Sequence, residues 1–80
     1  MMKVQVRLFA AARELVGEGQ LVYELPGGAT LQELVQDLFR LYPNLAEMRL
    51  RFAVNAVYVG QDAPLHDGDV VACIPPVGGG

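Results

Sequence analysis

Residues Thr30-Leu31-Gln32-Glu33-Leu34-Val35-Gln36-Asp37-Leu38-Phe39-Arg40-Leu41-Tyr42-Pro43 carry the clearest structural signal in the chain. Leu31, Leu34, Val35, Leu38, Phe39 and Tyr42 fall at spacings 0, 3, 4, 7, 8 and 11, which lines them along one face of an α-helix. Thr30 and Glu33 match the capping box, in which the Thr oxygen and the Glu carboxylate satisfy N–H groups at the helix start. Pro43 disfavours helical geometry at the residue before it and closes the helix near Tyr42. Asn44 to Arg49 reads as one more helical turn. A helix with a single apolar face needs a sheet to cover it, and the flanking sequence supplies one.

Upstream, Lys3-Val4-Gln5-Val6-Arg7-Leu8-Phe9 alternates with a period of two, predicting a strand with Val4, Val6 and Leu8 facing the core. Ala10 to Val16 is rich in helix formers and stops at Gly17, predicting a two-turn helix. Gln20 to Leu25 reads as a second strand, paired with the first around that helix and ended by Pro26-Gly27-Gly28. Downstream, Arg51 to Asn55 and Val57 to Val59 are short strands joined by a tight bend. His66-Asp67-Gly68-Asp69 is a turn, and Val70 to Ile74 is an apolar run suited to the interior of a sheet. With the first and last strands paired at the centre, the expected fold is α+β. It is of the ubiquitin-like β-grasp type, with four or five mixed strands over one main helix. The expected division is a domain over 1–75 and an extended, flexible tail over 76–80.

The chain has 80 residues, 52% of them apolar, and a net charge of −3. One domain is all this length allows, and the apolar fraction is too high for a disordered chain. Six Lys and Arg against nine Asp and Glu argue against a nucleic-acid partner. No apolar run approaches the roughly 18 residues of a membrane span. Charges at Lys3 and Arg7 stand where a signal peptide needs apolar residues, so a cytoplasmic protein is expected. There is no Ser, and His66 and Cys73 are the only residues of their types. A Ser-based triad, an internal disulfide and a Cys-ligated metal site within the chain are thereby excluded. His66, Asp62, Asp67 and Asp69 read as solvated turn residues, and Cys73 as a small buried hydrophobe.

That leaves the chain end, Pro75-Pro76-Val77-Gly78-Gly79-Gly80. The two prolines remove N–H donors and end strand pairing. The glycines present the narrowest backbone cross-section, and six extended residues reach about 20 Å. Such an end suits insertion into another protein's cleft, though a frayed terminus has the same composition.

Four blocks together carry a family resemblance: Phe9-Ala10-Ala11-Ala12-Arg13-Glu14-Leu15-Val16-Gly17, Val54-Asn55, Leu65-His66-Asp67-Gly68-Asp69-Val70-Val71-Ala72, and the Pro-Pro-Val-Gly-Gly-Gly end. The chain resembles the small subunits of molybdopterin synthase, within the MoaD/ThiS group of ubiquitin-like sulfur carriers. The resemblance implies that the Gly80 carboxylate is the working group, with Gly78 and Gly79 as its narrow approach. An E1-like adenylyltransferase would use ATP to adenylate it, and a sulfur donor carrying a persulfide would convert it to a thiocarboxylate. The tail would then insert into the synthase large subunit, within a heterotetramer, and deliver sulfur to cyclic pyranopterin monophosphate. No cofactor is expected on the chain itself. The resemblance further implies an apolar contact with the large subunit through Phe9, Tyr58 and Ile74, extended by Pro75, Pro76 and Val77. It turns Arg13 toward the adenylating enzyme. Tyr58 and Ile74 are expected on neighbouring strands. Gly78 departs from the Ser or Thr usual in the family before its final glycines. Sulfur carriers of thiazole synthesis or tRNA thiolation, a ubiquitin-like protein modifier and a β-grasp binding module without a carrier role are the alternatives.

Overall fold

The structure, a computed structural model, describes residues 1–76. Strand β1 (Met2–Leu8) and strand β2 (Gln20–Leu25) pair antiparallel, with helix α1 (Ala10–Val16) between them. Helix α2 (Leu31–Leu41) and a 3-10 helix (Pro43–Met48) lead to β3 (Arg51–Val54), β4 (Val57–Tyr58) and β5 (Val70–Ile74). The sheet order is β2-β1-β5-β3-β4, with β5 parallel to β1 and antiparallel to β3. This is the β-grasp arrangement expected from the sequence. The bounds of α1, β2 and β5 coincide with the expected ones; β1 ends one residue earlier, at Leu8, and β3 and β4 each stop one residue short.

The alternation in β1 becomes a division between two faces. Val4, Val6 and Leu8 are buried against Leu31, Leu34, Val35 and Leu38 of α2, together with Val71 and Cys73 of β5. Burying each such Leu or Val is worth about 1.5–3 kcal/mol, so the helical face and the centre of the sheet hold most of the stabilisation. The opposite, outer face of the sheet has no helix over it.

The capping box does not form. Thr30 occupies the N-cap position with no side-chain bond. The four leading N–H groups of α2 are satisfied otherwise: Leu31 donates to the Ala63 carbonyl (2.9 Å), Gln32 to that of Gln61 (2.8 Å), and Glu33 and Leu34 to that of Thr30. The loop before β5 therefore performs the capping, and the Thr hydroxyl is not needed.

A second set of polar contacts fixes the start of β5. Asp69, read from sequence as a solvated turn residue, is 9% exposed. Its Oδ2 accepts the His66 N–H (2.8 Å) and its Oδ1 accepts from Asn55 Nδ2 (2.9 Å). Asn55 Oδ1 accepts the Val70 N–H (3.0 Å), and the Asn55 N–H donates to the Val70 carbonyl (2.8 Å). Asn55 and Ala56 form the two-residue bend between β3 and β4, at φ of 50° and 70°. This left-handed pair matches the twist of a tight hairpin, and Asn tolerates it well. Asp67 ties the same turn to β1 by accepting the Lys3 N–H (2.8 Å).

Two outcomes follow from this core. Asp69→Ala strands the His66 N–H and the Asn55 amide, so urea denaturation should show a loss of at least about 2 kcal/mol. The second concerns alkaline pH. Burial pushes the Cys73 thiol from an ordinary 9.0 up to about 12, and desolvation also raises the Tyr23 phenol, whose oxygen is buried without a hydrogen-bond partner. Below pH 9 the thiol is protonated in both states and its contribution is constant. Between 9 and about 12 the unfolded chain releases the proton and the folded chain keeps it. Stability should therefore fall with rising pH in that window, by up to about 1.4 kcal/mol per pH unit from Cys73. Cys73→Ala should flatten the slope above pH 9, with the Tyr23 contribution remaining, as measured by unfolding free energy against pH.

Candidate functional site

The strand registers assemble the outer face row by row. Arg7 lies opposite Gln20 of β2 and Ala72 of β5; Ala72 lies opposite Ala53 of β3, and Ala53 opposite Tyr58 of β4. One step toward the chain exit, Ile74 lies opposite Arg51. Phe9 follows Leu8, whose partner is Cys73, so it stands at the same end of the sheet as Ile74. It caps α1 in an extended conformation and is 45% exposed, and Tyr58 is 54% exposed. Ile74 is half-buried.

One expectation is corrected: Tyr58 and Ile74 are not on neighbouring strands, because β3 lies between β4 and β5. They share a face through Arg51, which the sequence reading did not single out. Arg51 pairs in register with Ile74, and its Cζ stands 4.1 Å from the centre of the Tyr58 ring. Counting period-two parity back from Tyr58 through the two-residue bend would have found it.

Arg13 sits in the last turn of α1 and is exposed. Gly17, at φ 88°, closes this helix by donating to the Arg13 carbonyl (2.8 Å). The Arg13 side chain runs along Gly19, where a Cβ would stand 3.3 Å from Nε. Glycine at 19 thus leaves room for the arginine to lie along the loop. Pro75 is buried and Pro76 is exposed. Val77, Gly78, Gly79 and Gly80 lie outside the described residues.

The described residues contain no cluster of three or more His, Cys, Asp or Glu able to hold a metal ion, and no helix among them is long and apolar enough to cross a membrane. The hollows are shallow; one of about 210 Å³ is lined by Arg51, Tyr58 and Gln61 among others. Such a surface suits contact with another macromolecule better than enclosure of a small substrate.

If Phe9 and Tyr58 serve a surface rather than the core, truncation should be cheap. Phe9→Ala and Tyr58→Ala are each expected to cost the isolated chain well under the roughly 3–5 kcal/mol expected for Phe52→Ala, whose ring is buried. Denaturant unfolding of the three variants checks this.

Comparison with known proteins agrees with this geometry. The ThiS family model matches residues 6–80. A molybdopterin synthase sulfur carrier subunit from Arabidopsis thaliana is 38% identical over 80 residues, covering 98% of this chain and 83% of the relative. A candidate molybdopterin converting factor subunit 1 from Pyrococcus furiosus superposes with a TM-score of 0.89 at 34% identity, covering 96% of this chain and all of that one. The complex of subunits 1 and 2 of the molybdopterin-converting factor from Helicobacter pylori contains a chain that superposes with a TM-score of 0.72 at 29% identity, covering 99% and 100%. With strand order, helix placement and near full-length sequence similarity in agreement, this chain belongs to the ThiS family.

Proposed function

We propose that this chain is the sulfur-carrier subunit of a molybdopterin synthase. The observation that carries the reading is the near full-length similarity to curated sulfur-carrier subunits. It is supported by two exposed aromatic residues, Tyr58 on the outer sheet face and Phe9 just past the end of β1. The chain contributes a reactive end and a gripping surface, and its partners contribute the side-chain chemistry.

A glycine carboxylate is a poor acyl donor, because its charge is delocalised and its oxygen leaves badly. An E1-like adenylyltransferase exchanges that oxygen for a good leaving group by joining the Gly80 carboxylate to AMP from ATP, with release of pyrophosphate. The terminal sulfur of a persulfide donor then displaces AMP to give an acyl disulfide, and a thiol cleaves its S–S bond reductively, leaving a thiocarboxylate on Gly80 and a disulfide on the donor side. In the complex with the large subunit, that sulfur passes to cyclic pyranopterin monophosphate. Glycines bring no side chains to hold a partner, so affinity falls to the sheet face, where Phe9, Tyr58 and Ile74 supply apolar area. Arg13, on α1 beside the same edge, serves contact with the adenylating enzyme.

Incubation with a cognate E1-like enzyme, ATP and a sulfur source is expected to raise the intact mass by the difference between one sulfur and one oxygen. Deletion of Gly80 should abolish the gain with little change in melting temperature, since the residue lies beyond β5 and has no side chain. A mass gain that survived the deletion would refute the reading. Phe9→Ala and Tyr58→Ala should each weaken large-subunit binding by about 2 kcal/mol or more, the range of aromatic interface anchors.

A further inference from the structure

Charge is unevenly sorted between the two faces of the molecule. Lys3, Arg7 and Arg51, half of the six Lys and Arg, stand on the outer sheet face. The strand residues of that face include one carboxylate, Glu24, paired in register with Lys3. The chain as a whole has nine acidic residues and a net charge of −3, so this face runs against the overall balance. Arg7 stands on one side of the Ala72–Ala53 pair and Tyr58 on the other, with Arg51 two residues along β3 from Ala53.

Arg51 is held in an unusual way for an exposed cation. The ion pairs among the described residues are Arg40–Asp37 and His66–Asp69, and neither involves it. It stacks instead over the Tyr58 ring at 4.1 Å. Stacking restrains the planar guanidinium and leaves its edge N–H groups free to donate in the plane, the geometry that matches a carboxylate fork. Its register partner is Ile74, so a charged donor and an apolar contact sit side by side where the last strand ends.

We propose that the outer face recognises an acidic patch on the synthase large subunit, with Arg51 donating a forked pair of hydrogen bonds to a carboxylate there. This rests on the sulfur-carrier reading above. The apolar residues between the cations, Val70, Ala72 and Ile74, call for a partner surface that is partly apolar. The net negative charge of the chain disfavours a polyphosphate. Both features point to a protein surface rather than a nucleic acid.

The test measures association of the full chain with the purified large subunit across a range of salt concentrations. For the parent chain, the association rate should fall with salt. Arg51→Gln should weaken binding about five- to tenfold and flatten that salt dependence, and Arg51→Glu should weaken it further. Arg51→Lys should keep most of the salt dependence while losing affinity, because it retains the charge without the fork. Arg40→Gln makes the same net-charge change on α2, across the molecule, and should bind as the parent does. Unfolding free energies should be alike throughout. Arg51→Gln binding within twofold of the parent, with an unchanged salt slope, would overturn this proposal and leave the sulfur-carrier reading standing. Failure of the parent to bind the large subunit at all would remove that reading and this one together. Displacement of the large subunit by added RNA would assign the cationic face to nucleic acid and refute the proposal.

Discussion

The parallel pairing of β1 with β5 is the constraint from which the rest of the architecture follows. A parallel pair cannot be closed by a tight turn, so everything from residue 9 to residue 69 acts as the crossover between the two strands. That crossover carries α2 across the apolar face of both strands and completes the core. Parallel direction has a further effect: β5 ends at the same end of the sheet as β1. Phe9, α1, Ile74 and Pro76 are thereby gathered at one end of the sheet, although more than 60 residues of chain separate Phe9 from Ile74. An antiparallel pairing at the centre would have put the end of β5 at the far end of the sheet, away from Phe9.

The start of β5 is secured almost entirely by polar groups. Asp69 and Asn55 join the turn before β5 to the bend after β3, while Asp67 and the Lys3–Gly68 backbone bond join it to β1. A buried carboxylate is costly unless its oxygens are satisfied, and here each one accepts a hydrogen bond from a group that also needs a partner. The central strand is thus pinned in register on both sides, and register determines which side chains reach the outer face.

Much of this was legible in the sequence because the signals were local. Period two in β1, the 3-4-7 spacing of α2 and the Gly17 stop each depend on residues a few positions apart. The readings that failed depended on contacts distant in sequence. The Thr30 capping box was a sound local inference, but the Glu33 N–H that its hydroxyl would accept goes to the Thr30 carbonyl, and the distant carbonyls of Ala63 and Gln61 take the two N–H groups before it. Asp69 looked like a turn residue because nothing near it reveals that Asn55 folds back onto it. The separation of Tyr58 from Ile74 follows from the insertion of β3 between their strands, which strand propensity cannot express. The outward exposure of Phe9 was readable from parity alone. The burial of Pro75 was not, because a Pro-Pro pair signals only that strand pairing ends.

The core position of Cys73 bears on the selectivity of sulfur traffic. A thiolate close to an activated acyl group would capture it as a thioester and divert the reaction onto the protein itself. With its thiol held near 12, Cys73 is ionised at neutral pH to only about one part in 100,000. It is also sealed among aliphatic side chains. As the only cysteine in the sequence, it leaves the folded chain without a competing nucleophilic sulfur. A haloacetamide applied to the native protein near pH 7 would consequently leave the core thiol unlabelled and tag a sulfur installed at the chain end, so that one reagent reads out loading without interference from the scaffold.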